Sequence, residues 1–264
     1  MKITPLLAQI ENLDCVVLSY GNVIDADTEE IVHKIEFVET PNACDKSSAK
    51  PSTAEQREIK AVGRQVVKTA DLFPSIREWC RSGKADKYIN VGDQILIPNL
   101  KVPAVEDCEG EAFDEIDLKD VIVTVVHVEP RRVVFNFEDI LFRHDIDEAE
   151  LGNPFEETPL GVYLAEHFSA ALKEYTGDVK ATLLTRDNVF NEESADFMPY
   201  FKAIKNRIKV LAFENDTWYW WLKTPRASNS SHFCTVNGYG DSDYDLASAE
   251  GGVAPAFEFT ADSK

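Results

Sequence analysis

Asp241, Asp243 and Asp245 stand at alternate positions, the D-x-D-x-D spacing that opens a calcium loop, where closely set carboxylates supply hard oxygen ligands. An EF-hand also requires Gly at its sixth position and Glu at its twelfth, and here those positions hold Leu246 and Gly252. The EF-hand is excluded, and a looser calcium site stays open. His33, His127, His144, His167 and His232 show no H-E-x-x-H or other zinc-ligand spacing. Arg143, His144 and Asp145 could position an acid–base pair, and His232 and Cys234 would share one face of a strand, but no third group is in place to orient either. The chain has no G-x-G-x-x-G, no Walker loop and no G-x-S-x-G. No catalytic residue, metal site or cofactor is therefore assigned, and the expectation is a protein that is not an enzyme.

The most distinctive vocabulary lies between Ala227 and Glu250, where 19 of 24 residues are Ser, Asn, Asp, Tyr, His, Gly, Ala or Thr. Lys and Arg are absent from Ala227 to Ser263. In a binding surface Tyr supplies contact area at low entropic cost, while Ser, Asn and Gly supply adaptable hydrogen bonds. Small polar residues also simply make loops. What favours binding is the frame of bulky residues around the segment: Trp218, Trp220, Trp221 and Phe233 on one side, Val253, Phe257 and Phe259 on the other. The candidate ligand-binding residues are Ser228, Asn229, Ser230, Ser231, His232, Asn237, Tyr239, Asp241, Asp243, Tyr244 and Asp245. Trp218, Trp220, Trp221, Phe233 and Phe257 are the candidate scaffold frame.

These residues need a scaffold, and 264 residues with 44% hydrophobic content can bury a substantial core. The formal charge of −20 is set by clusters such as 106–120, with eight carboxylates and one Lys. Such a surface repels nucleic acid and anionic membrane. No apolar run reaches about 18 residues, so neither membrane insertion nor an export signal is expected. Five scattered cysteines suggest neither a disulfide framework nor a zinc cluster.

The spacing of apolar residues predicts an α+β chain. Strands are expected at 15–20 and 31–38, on either side of turns at Gly21-Asn22 and 25–27, with a linker at 41–53. A helix begins near Ser52, and a second covers 75–82, capped by Ser75, turning Ile76 and Trp79 inward and stopping at Gly83. A strand at 91–98 and a hairpin of 121–128 with 133–137 follow. Thr158 caps a helix with Pro159 in its first turn and Leu160, Leu164, Phe168 and Leu172 repeating every four residues. Beyond a strand at 181–185, a short helix at 199–208 should bury Phe201, Ile204 and Ile208 and expose Lys202, Lys205 and Arg207. Short strands at 219–222, 233–236 and 252–257, punctuated by glycines, complete a body with helices first and an irregular antiparallel sheet last.

The segments YWWLKTP at 219–225, FCTV at 233–236 and GVAPAF at 252–257 resemble the W-W-L-R-S-P … F-x-x-V … G-V-x-P-A-F signature of a bacterial and phage domain family with a C-type-lectin-like fold. That family overlaps the variable proteins diversified by retroelements, including phage receptor-binding proteins. Upstream, Trp79, Gly83, Lys84, Ala85, Tyr88, Gly92 and Asp93 look like the opening of phage structural proteins of that type, so the resemblance covers roughly 70–259. Lys223 and Thr224 replace the usual Arg and Ser, Ala254 stands where Arg is frequent, and the calcium-ligand motifs of animal lectins are missing. The resemblance thus implies the fold more strongly than calcium-dependent sugar binding.

What it implies is a virion-surface protein in three parts: a β-rich attachment or oligomerisation segment at 1–45, a linker and helix at 46–69, and a C-type-lectin-like domain at 70–264 with its ligand surface at 227–250. Its expected partners are other virion proteins, copies of itself in a homo-oligomer, and a host surface protein or glycan, with no nucleic acid. Retroelement diversification of 227–250 would explain the residue types there. The alternative from the same resemblance is a capsid or tail decoration protein that uses the domain for packing without receptor binding.

Overall fold

The computed structural model describes residues 21–24, 31–35, 67–104, 114–212, 216–227 and 229–262. The chain divides into two units between Val67 and Lys68. In the first, β1 (Gly21–Ile24) pairs antiparallel with β2 (Ile31–Ile35), in a register that shifts at Val23/Ile24. Gly21 and Asn22, expected in a turn, are therefore strand residues, with Gly21 paired to Ile35 and Asn22 to Lys34. The expected strand at 15–20, the linker at 41–53, the helix from Ser52 and most of the acidic run from Glu106 lie outside the described residues.

The second unit mixes helices with two five-stranded sheets, an α+β arrangement. The first sheet has the order β14-β6-β5-β4-β3. It combines β3 (Val67–Thr69), β4 (Gln94–Val102), β5 (Ile116–Glu129), β6 (Arg132–Phe137) and β14 (Ala256–Thr260). The β5–β6 hairpin turns at Pro130-Arg131, where the alternation of apolar residues on both sides places it. β14 adds to β6 from the far end of the sequence, with Phe257 opposite Phe135 and Phe259 opposite Val133. The sheet is thus not the last element of the body, as the order of strands along the chain suggested; it is begun before the long helix and finished after it.

The second sheet, order β12-β11-β10-β13-β7, holds β7 (Phe142–His144), β10 (Trp220–Arg226), β11 (Asn229–Val236), β12 (Ser242–Leu246) and β13 (Gly251–Val253). All its pairings are antiparallel except β10 with β13, which meet through Trp220 and Gly252. β8 (Lys209–Val210) and β9 (Thr217–Trp218) form a separate two-stranded ribbon.

The helix α1 (Phe73–Ser82) starts two residues before the expected cap, with Pro74 in its first turn and Ser75 inside it. Gly83 ends it in the left-handed region at φ 68°, a conformation open to glycine without a Cβ clash. Ile76 is fully buried, but Trp79 is half-buried and stacks on Tyr88 with ring centroids 4.9 Å apart. The next helical run comprises α2 (Pro159–Tyr163), a π-helical turn at Leu164–Phe168 and α3 (Ser169–Thr176). Thr158 caps it by accepting from Gly161 N at 3.2 Å, and Leu160, Leu164, Phe168 and Leu172 are all buried. A short helix, α4 (Arg186–Phe190), follows under a reciprocal cap between Thr185 and Asn188.

The helix expected at 199–208 is instead two 3-10 turns, Pro199–Lys202 and Ile204–Asn206, broken where Ala203 is extended. Phe201 is buried, while Ile204 and Ile208 are exposed. Arg207 is not a solvated helix residue: it donates to the carbonyls of Phe201 (2.8 Å) and Gly240 (3.3 Å), and its guanidinium lies over Phe190.

Two hydrophobic cores result, and neighbouring residues of β5, β6, β10 and β14 enter different ones. Successive strand residues point to opposite faces. Trp221 accordingly joins Phe73, Phe135, Phe168, Phe233 and Phe257, while Trp220 joins Ile140, Phe201, Leu222 and Val236.

Candidate functional site

Residues 229–246, read from their composition as permissive on either side of a short strand at 233–236, form a β-hairpin. β11 and β12 pair from His232 with Leu246 to Val236 with Ser242, and β12 is the edge strand of its sheet. Ser, Asn and Asp have low intrinsic preference for strands. Here the order comes from β10, whose Trp220 and Trp221 pair with Val236 and Thr235.

The tryptophans are fixed by their polar ends as well as their bulk. Trp220 Nε1 donates to the carbonyl of Arg207 (2.8 Å) and Trp221 Nε1 to that of His144 (2.9 Å). Both side chains are completely buried, as are Phe233 and Phe257 to within 1%. Trp218, expected in the same frame, is different. It belongs to the β8–β9 ribbon, opposite Lys209, and it is only half-buried. Its ring stacks beside Tyr219, and the Arg143 guanidinium lies 5.3 Å from its centre.

Trp218 and Tyr219 form one side of an open pocket of about 420 Å³, whose lining also includes Thr235, Asn237, Tyr239, Asp243 and Asp245. Tyr219 donates its hydroxyl to the Glu250 carbonyl at 2.9 Å. Burial, reinforced by the neighbouring Asp245 carboxylate, pushes the Tyr219 pKa up to about 12, so the phenol stays protonated. Asp243 pairs with Thr235 and Asp245 with Phe233 across the hairpin, which puts both carboxylates on one face of β12. Each also accepts, through Oδ1, the backbone N–H of the following residue at 2.9 Å.

Asn237 builds the turn of the hairpin. Its Oδ1 accepts from Tyr239 N (2.9 Å) and Asp241 N (3.0 Å), and this leaves Tyr239 81% exposed at the pocket's rim. Tyr244 also lines the pocket, but its neighbours lie on the other face of the strand: the His232 ring 6.1 Å away and the Arg226 guanidinium 3.4 Å from its ring centre. Asp241 is exposed at the turn, outside the lining.

Asn229, Ser230, Ser231 and His232 occupy the opposite end of the hairpin. Asn229 accepts from both the backbone N–H and the hydroxyl of Ser231, at 3.1 and 3.0 Å. Ser230 sits against Gly152, where a Cβ would collide with its hydroxyl. Ser228 lies outside the described residues. Of the candidate ligand residues, the fold thus gathers Asn237, Tyr239, Asp243, Tyr244 and Asp245. Reading the sequence missed Thr217, Tyr219 and Thr235 as pocket residues, and Trp218, assigned to the frame, packs against the Trp220 core and lines the pocket as well. A usable signal was the alternation in WYWW, since a strand cannot turn all four rings into one core.

The other chemical candidates have definite surroundings. His144 Nδ1 and Asp145 Oδ1 do meet, at 2.7 Å, beside the backbone of β7. His232 and Cys234 share a face of β11, but Cys234 is buried and burial raises its thiol pKa, which disfavours the reactive thiolate. Among the described residues, no three His, Cys, Asp or Glu side chains gather in a way that could hold a metal ion, and no helix is long and apolar enough to cross a membrane.

No curated protein and no solved structure matches the chain. Residues 146–260, which carry β8 to β14 and the whole pocket, match a family model described as a domain of unknown function, DUF6273.

Proposed function

We propose that the protein is a phage structural protein exposed on the virion, whose second unit is a C-type-lectin-like domain presenting the β11–β12 hairpin to a host surface protein or glycan. The observation that carries this reading is the pairing of a hairpin whose turn and edge strand expose Ser, Asp and Tyr with a neighbouring strand, β10, whose two tryptophans are fully buried. A rigid support under adaptable polar residues and an exposed Tyr is the division of labour found in loops selected for binding. The signature residues 219–225, 233–236 and 252–257 supply the link to phage proteins, and the buried side chains they contribute are those that hold the hairpin. The residue types of 227–250 suit diversification by a retroelement, with the frame residues left unchanged. One pocket of this size binds weakly, and many copies on a particle would raise effective affinity by about 10²- to 10⁴-fold.

The decisive measurement is adsorption of virions carrying Tyr239→Ala, Asp243→Ala and Asp245→Ala together. Particles that assemble normally and lose host adsorption support the reading; particles that adsorb like wild type refute it. A second reading, decoration of the capsid or tail, is favoured by the exposed Ile204 and Ile208, which lie against Gly240 at the hairpin turn. In that case the same particles would fail to assemble, and Ile204→Ser would share the defect.

A further inference from the structure

We infer that the pocket between Trp218, Tyr219 and the β11–β12 hairpin recognises an organic cation, an ammonium or guanidinium group. This inference rests on the ligand-binding reading above and names the ligand class. The lining combines the rings of Trp218 and Tyr219 and the exposed Tyr239 with the carboxylates of Asp243 and Asp245, and it contains no Lys or Arg. Aromatic faces and carboxylates together attract cations, through the ring quadrupole and through charge-assisted hydrogen bonds.

The molecule already shows the preference at the pocket's edge. Arg143 lies over the Trp218 ring and reaches Glu250 at 4.0 Å, so that cation is matched by its own carboxylate. Asp243 and Asp245, the latter also hydrogen-bonded to Tyr219, are then the carboxylates of the lining. Tyr219 has its hydroxyl committed to the Glu250 carbonyl, and Asn237 has its side-chain oxygen committed to two backbone N–H groups. An anion would meet two carboxylates with no cation in the lining. At about 420 Å³ the space lies in the lower part of the small-molecule range, enough for one basic side chain or a small amine. Two cations stack on lining rings, Arg143 on Trp218 and Arg226 on Tyr244, while the segment from Ala227 to Ser263 adds no Lys or Arg.

The test uses the full-length protein and follows the Trp218 indole N–H by NMR, identified by its loss in Trp218→Phe. Titrants are N-acetyl-lysine methylamide, N-acetyl-arginine methylamide, choline and the neutral isostere N-acetyl-norleucine methylamide. Saturable shifts with a cation, weakened at least about tenfold in Asp243→Asn/Asp245→Asn and reduced by added salt, are expected. Asn keeps the Oδ1 that accepts the following backbone N–H, so that variant removes charge and preserves the strand, as matching amide spectra would verify. Binding of the lysine or arginine derivative but not choline points to a protein side chain as source; binding of choline alone points to a quaternary amine. Equal binding of the norleucine derivative, no binding of any cation, or full binding by the Asn variant overturns the inference. Cation binding with unimpaired adsorption of the Ala virions would sink the adhesion reading and leave the pocket's chemistry standing; lost adsorption without cation binding would do the reverse.

Discussion

Trp220 and Trp221 are neighbours in sequence, yet they enter two cores that are stabilised differently. Trp221 meets the Tyr219 ring edge-on with centroids 5.8 Å apart, and the core it joins is aromatic: Phe73, Phe135, Phe257 and Phe259 approach one another with centroids 4.9 to 6.0 Å apart. Around Trp220 the apolar residues share space with ionisable groups. Lys209, 4% exposed, donates from Nζ to the Phe137 and Glu138 carbonyls and lies 5.1 Å from the Trp220 ring centre. Glu138 in turn accepts from Thr124 and from Tyr200, and Asn136 donates to the carbonyls of Ala254 and Pro255, each at 2.9 Å. The first core depends on shape and should be insensitive to pH. The second depends on paired charge and hydrogen bonding, where a removed partner costs more than removed volume.

The contrast can be broken most directly at Trp221→Ala, which removes the β10 side chain from the aromatic core together with the indole donor to the His144 carbonyl. A loss of about 3–5 kcal/mol in denaturant-unfolding free energy is expected. A loss below about 1 kcal/mol would show that the two cores do not divide as described.

Lys209 provides the corresponding probe of the polar core. Burial lowers its pKa from 10.5 to about 8, with Glu138 and Asp139 opposing the shift. Below about pH 8 both native and unfolded chains hold this proton, and the full cost of burying the ammonium is present. Between the two values the unfolded chain holds a proton that the native one has released, so stability should rise with pH across that window, by on the order of 3 kcal/mol. The difference in unfolding free energy between wild type and Lys209→Met, followed from neutral to strongly alkaline pH, isolates this contribution. A flat difference would remove the charge from the account.

Gly251→Ala tests the same aromatic core from its edge. An added Cβ would overlap the Trp221 indole and approach the Tyr219 ring to 2.8 Å. A cost of about 1–3 kcal/mol is expected. The smallest effect belongs to Tyr239→Ala, which removes an exposed ring and should change stability by no more than about 0.5 kcal/mol while impairing ligand binding. A large destabilisation there would mean that the rim of the pocket is also part of its frame.

Legibility in the sequence followed how local the determining interactions were. The helical run from Pro159 could be read from Thr158, Pro159 and the apolar repeat, and the β5–β6 hairpin from its alternation, because each signal lies within a few residues of what it controls. Of the β11–β12 hairpin only 233–236 could be read in this way. Its Ser, Asn and Asp residues suit turns, and they are extended because β10 offers them a partner. The 199–208 segment misled for a related reason: Arg207 reaches back to the Phe201 carbonyl and across to Gly240, contacts that no apolar repeat encodes. At the site, Asn237, Tyr239, Asp243, Tyr244 and Asp245 were visible as a composition. Tyr219 and Thr235 joined them only once strand pairing was known, and Trp218 proved to serve both frame and pocket.

β14 completes the first sheet by pairing with β6, so Arg132 and Glu258, 126 positions apart, meet at 2.7 Å. During synthesis that sheet must wait, its inner face without Phe257 and Phe259, until nearly the whole unit has left the ribosome. Long-range closure of this kind slows folding and leaves apolar surface open to other chains. The β11–β12 hairpin is made just before the strand that closes the core, so a growing chain would display Tyr239, Asp243 and Asp245 before the sheet beside them is complete.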